Sequence, residues 1–300
     1  MRSKPLQPST KYRGRSVYKD ALDLCCTPRG VNWSWSQGLH IPQETRPTYS
    51  NTAFVISTVI RMLRDAFISD VVLLTLQHMA PTTFGSLAGG TIFDPTLAPV
   101  PRYLYSTLTT LVAGIGIYST LNMMYHLFTV ITFTLSTQDP ADWPPLSSAP
   151  WFATSLAEFW STKWHQTFRP SFMQLAYRPA RALFGKAGGV MAVFLLSGVM
   201  HNVCIRGMAR GSNFKQIGGF FILNGIAVVC EGVYQKISGR KVGGLLGRLW
   251  TVAVILSTGN LIIDAWLVRG FVGSAVFPEE VRPTRLFQLV AYISTLLSAK

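Results

Sequence analysis

The run from Leu104 to Leu135 contains no Asp, Glu, Lys or Arg. At roughly 32 residues it exceeds the ~20 that an α-helix needs to cross a bilayer. In hydrocarbon each backbone N–H and C=O must be satisfied internally, so an unbroken apolar run of this length is helix. Ala187 to Met208, Phe214 to Lys236 and Arg248 to Val268 are further apolar runs of span length, with one, three and two charged residues respectively. Thr52 to Ala80 is helical in pattern but holds Arg61, Arg64, Asp65 and Asp70. Its first half suits an interfacial helix, and the whole stretch can cross if tilted, with its arginines snorkelling to the headgroups. Leu286 to Ala299 is shorter, and is tilted or partial. The expectation is an all-α polytopic membrane helix bundle of about six spans. Composition agrees, with 49% hydrophobic and only 13% charged residues and a mean hydropathy of +0.30. A soluble domain carries about a quarter charged residues.

The net charge of +14 comes from 27 basic and 13 acidic residues. The basic residues lie mainly between spans, which fits positive-inside topology and anionic headgroups rather than nucleic acid. With a cytosolic N-terminus, 18 basic residues fall in cytosolic segments and 7 on the other side. This places residues 1–51 as a cytosolic N-terminal segment and 52–300 as the membrane domain, with 136–186 a cytosolic polar region. Localisation is then a multi-pass membrane, with the endoplasmic reticulum expected. MRSKPLQPSTKYRGRS lacks an apolar core, so no cleavable signal peptide is expected. Cys25, Cys26, Cys204 and Cys230 have no metal-ligand spacing and read as free thiols. No metal site is expected.

Between the apolar runs lies one stretch of different composition, WPPLSSAPWFATSLAEFWSTKWHQTFRP, Trp143 to Pro170. If Thr154 caps a helix there, Trp160, Trp164 and Phe168 form a stripe at i, i+4 and i+8. Glu158, His165 and Arg169 then share a face. An amphipathic helix on the membrane surface, with tryptophans at headgroup level, accounts for part of this pattern. So many Trp, His and charged residues in one window point further, to a functional segment.

Glu158 to Arg169, EFWSTKWHQTFR, resembles the FWxxxWHQxFR segment of the wax-synthase-like branch of membrane-bound O-acyltransferases. Three other stretches resemble that family's motifs in the same order. Arg29 to Trp35, RGVNWSW, is similar to its RGxxWxW signature, and Trp143 to Leu146 to its WPPLF lead-in, with Ser147 in place of Phe. Phe194 to His201, FLLSGVMH, is similar to its FxxSGxxH helix. The resemblance covers residues 25 to 270. Full members carry additional apolar spans before RGxxWxW, whereas this sequence starts almost at that signature.

The resemblance implies transfer of an acyl group from acyl-CoA, used as a co-substrate with no bound cofactor. His201, a histidine within an apolar span, is the expected general base, since intramembrane ionisable residues are functional or paired. Ser197 at i−4 could orient its ring through the hydroxyl. Asn202 or His165 could stabilise the oxyanion. The family pattern marks His165 as a second essential residue, with Trp160 and Trp164 beside the acyl-CoA channel. Lys163 and Arg169 either bind the coenzyme phosphates or contact headgroups. Asn122, His126, Asn224, Glu231, Asn260 and Asp264 either bond between helices or line the reaction chamber.

Within the resemblance, WHQTFRP followed by the Gly185 to Gly189 stretch and LLSGVMH is similar to fungal enzymes that acetylate terpenoid or meroterpenoid metabolites. The expected reaction is acetyl transfer from acetyl-CoA to a hydroxyl on an apolar terpenoid-type acceptor. A long-chain wax ester synthase is the alternative, and an inactive relative or transporter is a third reading. Asp139 and Asp142 could hold a diphosphate through Mg²⁺, as in membrane prenyltransferases, but a second acidic motif is missing and the prolines make a turn.

Overall fold

A computed structural model describes residues 18, 29–31, 40–135, 139–273 and 282–285. Among these the protein is all-helical, with no strand. Five long helices carry the fold: α1 (Asn51–Met79), α2 (Pro99–Leu135), α3 (Arg178–Arg206), α4 (Phe214–Ser238) and α5 (Gly244–Leu267). Four helices among the described residues are long and apolar enough to cross a membrane: α2, α4, α5 and a continuous stretch Arg169–Arg206 that contains α3. This is a membrane protein with a helical bundle, and four such helices stand where about six were expected. The α1 helix forms, but its four internal charges set it apart. The expected span Leu286 to Ala299, the pair Cys25 and Cys26, most of the N-terminal segment and the WSW part of the upstream signature lie outside the described residues.

Local details have simple physical reasons. Ser50 caps α1, its hydroxyl accepting from the Ala53 N–H at 3.4 Å. The α2 helix starts earlier than expected, at Pro99, whose missing N–H is harmless in a first turn. Gly116 serves close packing, since a Cβ there would lie 2.8 Å from Val72 Cγ1. Gly244 to Gly247 form the first turn of α5.

Two compact units divide the chain. Unit one comprises Met1–Thr58, Leu127–Val193 and Val228–Thr251, and unit two Val59–His126, Phe194–Ala227 and Val252–Lys300. In unit two, polar side chains of the spans bond between elements. Asp264 accepts from Thr91 Oγ1 at 2.6 Å, the Ile92 N–H at 3.0 Å and Gln216 Nε2 at 2.8 Å. Asn260 Oδ1 accepts from Thr110 at 2.6 Å, and Asn224 Nδ2 donates to Thr258 Oγ1 at 3.0 Å. His126 Nε2 lies 3.5 Å from Asp65 Oδ2. Asn122 bonds back to the Tyr118 carbonyl at 2.8 Å, a bond within its own helix. The bonds of Asp264, Asn260 and Asn224 satisfy polar groups that lipid could not.

Candidate functional site

In unit one the polar stretch is held by buried cations. Arg29 donates to the carbonyls of Pro144 and Pro145, the second at 2.8 Å. Arg46 donates to the Trp143 carbonyl and pairs with Glu44 at 2.7 Å. Its guanidinium also lies 4.2 Å from the Phe54 ring centroid. Trp143 is thereby buried with 1% exposure. Asp139 caps the short 3₁₀ turn Pro140–Asp142 by accepting from the Ala141 N–H at 2.9 Å, a structural role for half of the acidic pair. Among the described residues no group of three or more His, Cys, Asp or Glu could hold a metal.

The expected single helix from Thr154 through Arg169 does not form. Ser155 is the cap, accepting from the Glu158 N–H at 3.0 Å. One α-turn, Leu156–Glu158, leads into a π-helical turn, Phe159–Lys163. Trp164 then adopts an extended conformation at ψ 167 and ends it. A second helical start follows at Arg169. The stripe Trp160, Trp164, Phe168 and the shared face of Glu158, His165 and Arg169 are therefore broken. Glu158 folds back instead, accepting from the Thr154 N–H at 2.7 Å and hydroxyl at 2.9 Å, with Lys163 Nζ 3.7 Å away.

What replaces the helix is a knot of side-chain bonds around Gln166, which is 2% exposed. Its Nε2 donates to the carbonyls of Trp164 at 3.0 Å and Trp160 at 3.3 Å. Arg169 Nη1 donates to the Ser161 carbonyl at 2.8 Å and to Gln166 Oε1 at 3.3 Å. Phe159 stacks on Trp164 with ring centroids 5.6 Å apart, and the His165 ring lies 5.4 Å from Trp164. His165, Trp160, Trp164, Lys163 and Arg169 are thus brought into one compact loop.

Sequence reasoning missed what anchors this loop. Glu231 of α4 is buried, and its two carboxylate oxygens accept from successive backbone N–H groups, Leu156 at 2.7 Å and Ala157 at 2.9 Å. Trp250 Nε1 of α5 donates to the same carboxylate at 3.0 Å. An acidic residue inside an apolar span was the available signal. Gly247 completes the seat, since a Cβ there would collide with the Thr154 carbonyl.

His201 belongs to unit two, in α3. Its Nδ1 lies 2.8 Å from the Ser197 carbonyl oxygen, so the orienting group is the backbone of Ser197 rather than its hydroxyl. That contact makes Nδ1 the protonated nitrogen and leaves Nε2 with its lone pair. The ring is half-buried and packs on Phe221 with centroids 4.6 Å apart. Gly198 lets α4 approach closely, since a Cβ there would lie 3.1 Å from Gly218 Cα. The Oδ1 of Asn202 is buried, with no hydrogen-bond partner among the described residues.

Residues 143–223, from the WPP turn through His201, match the model of the membrane bound O-acyl transferase family. Over that stretch the chain resembles the membrane-bound O-acyltransferases. Its resemblance within that family is to wax synthases and to fungal acetyltransferases. A long-chain-alcohol O-fatty-acyltransferase of Simmondsia chinensis is 30% identical over 139 residues, 42% of this chain and 38% of that protein. An acetyltransferase of Aspergillus terreus is 25% identical over 257 residues, 80% of this chain and 83% of that protein. An O-mevalon transferase of Aspergillus niger is 24% identical over 239 residues, 70% of this chain and 51% of that protein. The matches span about half the length, or less, of the plant fatty-acyltransferases, 38% and 49% for two of them. No solved structure matches this sequence.

Proposed function

We propose that the protein is a membrane O-acyltransferase that moves an acetyl group from acetyl-CoA to a hydroxyl of an apolar, terpenoid-type acceptor. The observation that carries the acetyl reading is breadth of match. The Aspergillus terreus acetyltransferase aligns over 83% of its length, the Simmondsia chinensis fatty-acyltransferase over 38%. Long-chain ester synthesis from acyl-CoA and a fatty alcohol is the second reading, favoured by the several plant fatty-acyltransferases that match.

In the proposed reaction His201 Nε2 takes the proton of the acceptor hydroxyl as its oxygen attacks the thioester carbonyl. The Ser197 carbonyl holds the ring in the tautomer this requires. Asn202, through its side-chain amide, stabilises the oxyanion. The intermediate collapses, the carbon–sulfur bond breaks, and the coenzyme A thiolate receives the proton from the imidazolium. Net, the acceptor hydroxyl becomes an ester and the thioester a thiol. His165 is the second essential residue, and Trp160, Trp164, Lys163 and Arg169 border the path of the acyl-CoA. The protein resides in the endoplasmic reticulum membrane with this loop on the cytosolic side.

Membranes containing the full chain, incubated with labelled acetyl-CoA or palmitoyl-CoA, each with hydroxylated terpenoids or fatty alcohols, test this. Acetyl ester on a terpenoid is expected. Ester from palmitoyl-CoA and fatty alcohol alone would replace the first reading by the second. No ester from any pair would favour a non-catalytic relative.

A further inference from the structure

Just before α3, Met173–Tyr177 form a second π-helical turn, a feature that re-aims side chains and recurs at functional sites. Within α3, Gly185 takes φ 69 and ψ −168, a backbone that L-residues avoid. A Cβ at Gly185 would meet nothing within 4 Å, so the glycine is there for its conformation and not for space. Beyond that kink, Gly189 receives the Tyr177 ring, since a Cβ there would come within 2.8 Å of Cδ2. Tyr177 is therefore a seated platform.

Around it, Met173, Tyr177, Arg178, Arg181 and Ala182 line an open concavity of about 510 Å³. Arg178 Nη1 donates to Gln174 Oε1 at 2.9 Å, and the Arg181 guanidinium lies 5.8 Å from the Tyr177 centroid. Among the described residues neither arginine is paired with a carboxylate. Both are exposed, and so are Leu175, Leu183 and Phe184, each at 73% or more. Two guanidinium groups with no carboxylate partner among the described residues stand where an apolar span begins, close in sequence to these exposed apolar side chains. That is the level at which headgroup phosphates meet acyl chains. A guanidinium fork matches phosphate oxygens in pairs, and a soluble anion would leave the leucines and Phe184 in water.

We propose that this concavity binds the phosphate headgroup of an anionic phospholipid, with Arg178 and Arg181 as its ligands and Leu175, Leu183 and Phe184 against the acyl chains. The site is separate from the acyl-transfer reading and does not depend on it. The test uses the purified full chain equilibrated with phosphatidylcholine vesicles doped with phosphatidic acid. Retained lipid is read by native mass spectrometry. Two surface arginines should favour phosphatidic acid over phosphatidylcholine by about tenfold or more. R178Q/R181Q should lose that preference. R240Q/K241Q, which removes equal charge from exposed positions after α4, should keep it. Equal loss in both variants would reduce the effect to net charge and overturn the proposal, as would retention in R178Q/R181Q. Displacement of the lipid by glycerol phosphate at equal concentration would show that any phosphate suffices, and would overturn the choice of lipid.

Discussion

His201 Nδ1 is committed to the Ser197 carbonyl, so only Nε2 can accept a proton. Replacing His201 by Ala should lower ester formation by about 10²- to 10⁴-fold, the usual share of a general base. Membranes with matched amounts of protein are the measurement, and a wild-type rate would refute the assignment. His165→Ala should also lower turnover, and an unchanged rate would leave His165 as a ring packed on Trp164. Glu158 offers a pH test of the loop. Burial opposes its charge, but the Thr154 N–H and hydroxyl, then Lys163, outweigh that and hold its carboxyl below the ordinary range. A depressed folded pKa gives stability that is fully present above the unfolded value near 4.5. That stability is lost as pH falls through the folded pKa. Glu158→Gln should flatten the thermal stability profile in that acid window, and an unchanged profile would remove Glu158 from the account. At this scale the sequence put forward the histidine but not the atom that orients it. Spacing of i, i+4 brings both the hydroxyl and the carbonyl of Ser197 near the ring, and the carbonyl has a second lone pair to share.

Among the elements, the apolar helices were readable because composition and length alone dictate them. The loop 154–169 was not. It has no Gly or Pro before Pro170 to mark a break, and its aromatic spacing suits an α-helix. Long-range and side-chain bonds decide otherwise. Gln166 draws in the carbonyls of Trp160 and Trp164, and the Ser148 N–H takes the Lys163 carbonyl at 2.9 Å. Those carbonyls are thereby used outside a helical ladder. Glu231 is what seats this loop, its carboxylate oxygens accepting from two backbone donors and an indole. Glu231→Gln puts an amide donor against N–H groups, and leaving buried partners unmet should cost roughly 1–3 kcal/mol or more. A lowered Tm in detergent should accompany a raised KM for acyl-CoA. An unchanged Tm would show that the loop is held by its internal bonds alone.

For the whole molecule, orientation follows from crossings and charge. If α4 crosses the membrane once, its two ends face opposite sides. The turn 239–243 and the polar loop 139–168 then lie on one side, an even number of single crossings apart. With all six crossings expected from the sequence, α1 and Leu286 to Ala299 included, the segments on that side hold 18 of the 27 basic residues, against 7 for the other. The loop with His165 should therefore face the cytosol, where acyl-CoA is made and kept. Single cysteines test this in a background with the four native ones replaced by Ser. Lys241→Cys and Lys215→Cys stand near opposite ends of α4, and both positions are exposed. In sealed microsomes, whose cytosolic face is outward, a membrane-impermeant maleimide should label Lys241→Cys at once. Lys215→Cys should react only after permeabilisation. The reverse pattern would put the His165 loop in the lumen and remove it from cytosolic acyl-CoA. Labelling of both in sealed vesicles would mean that α4 does not span.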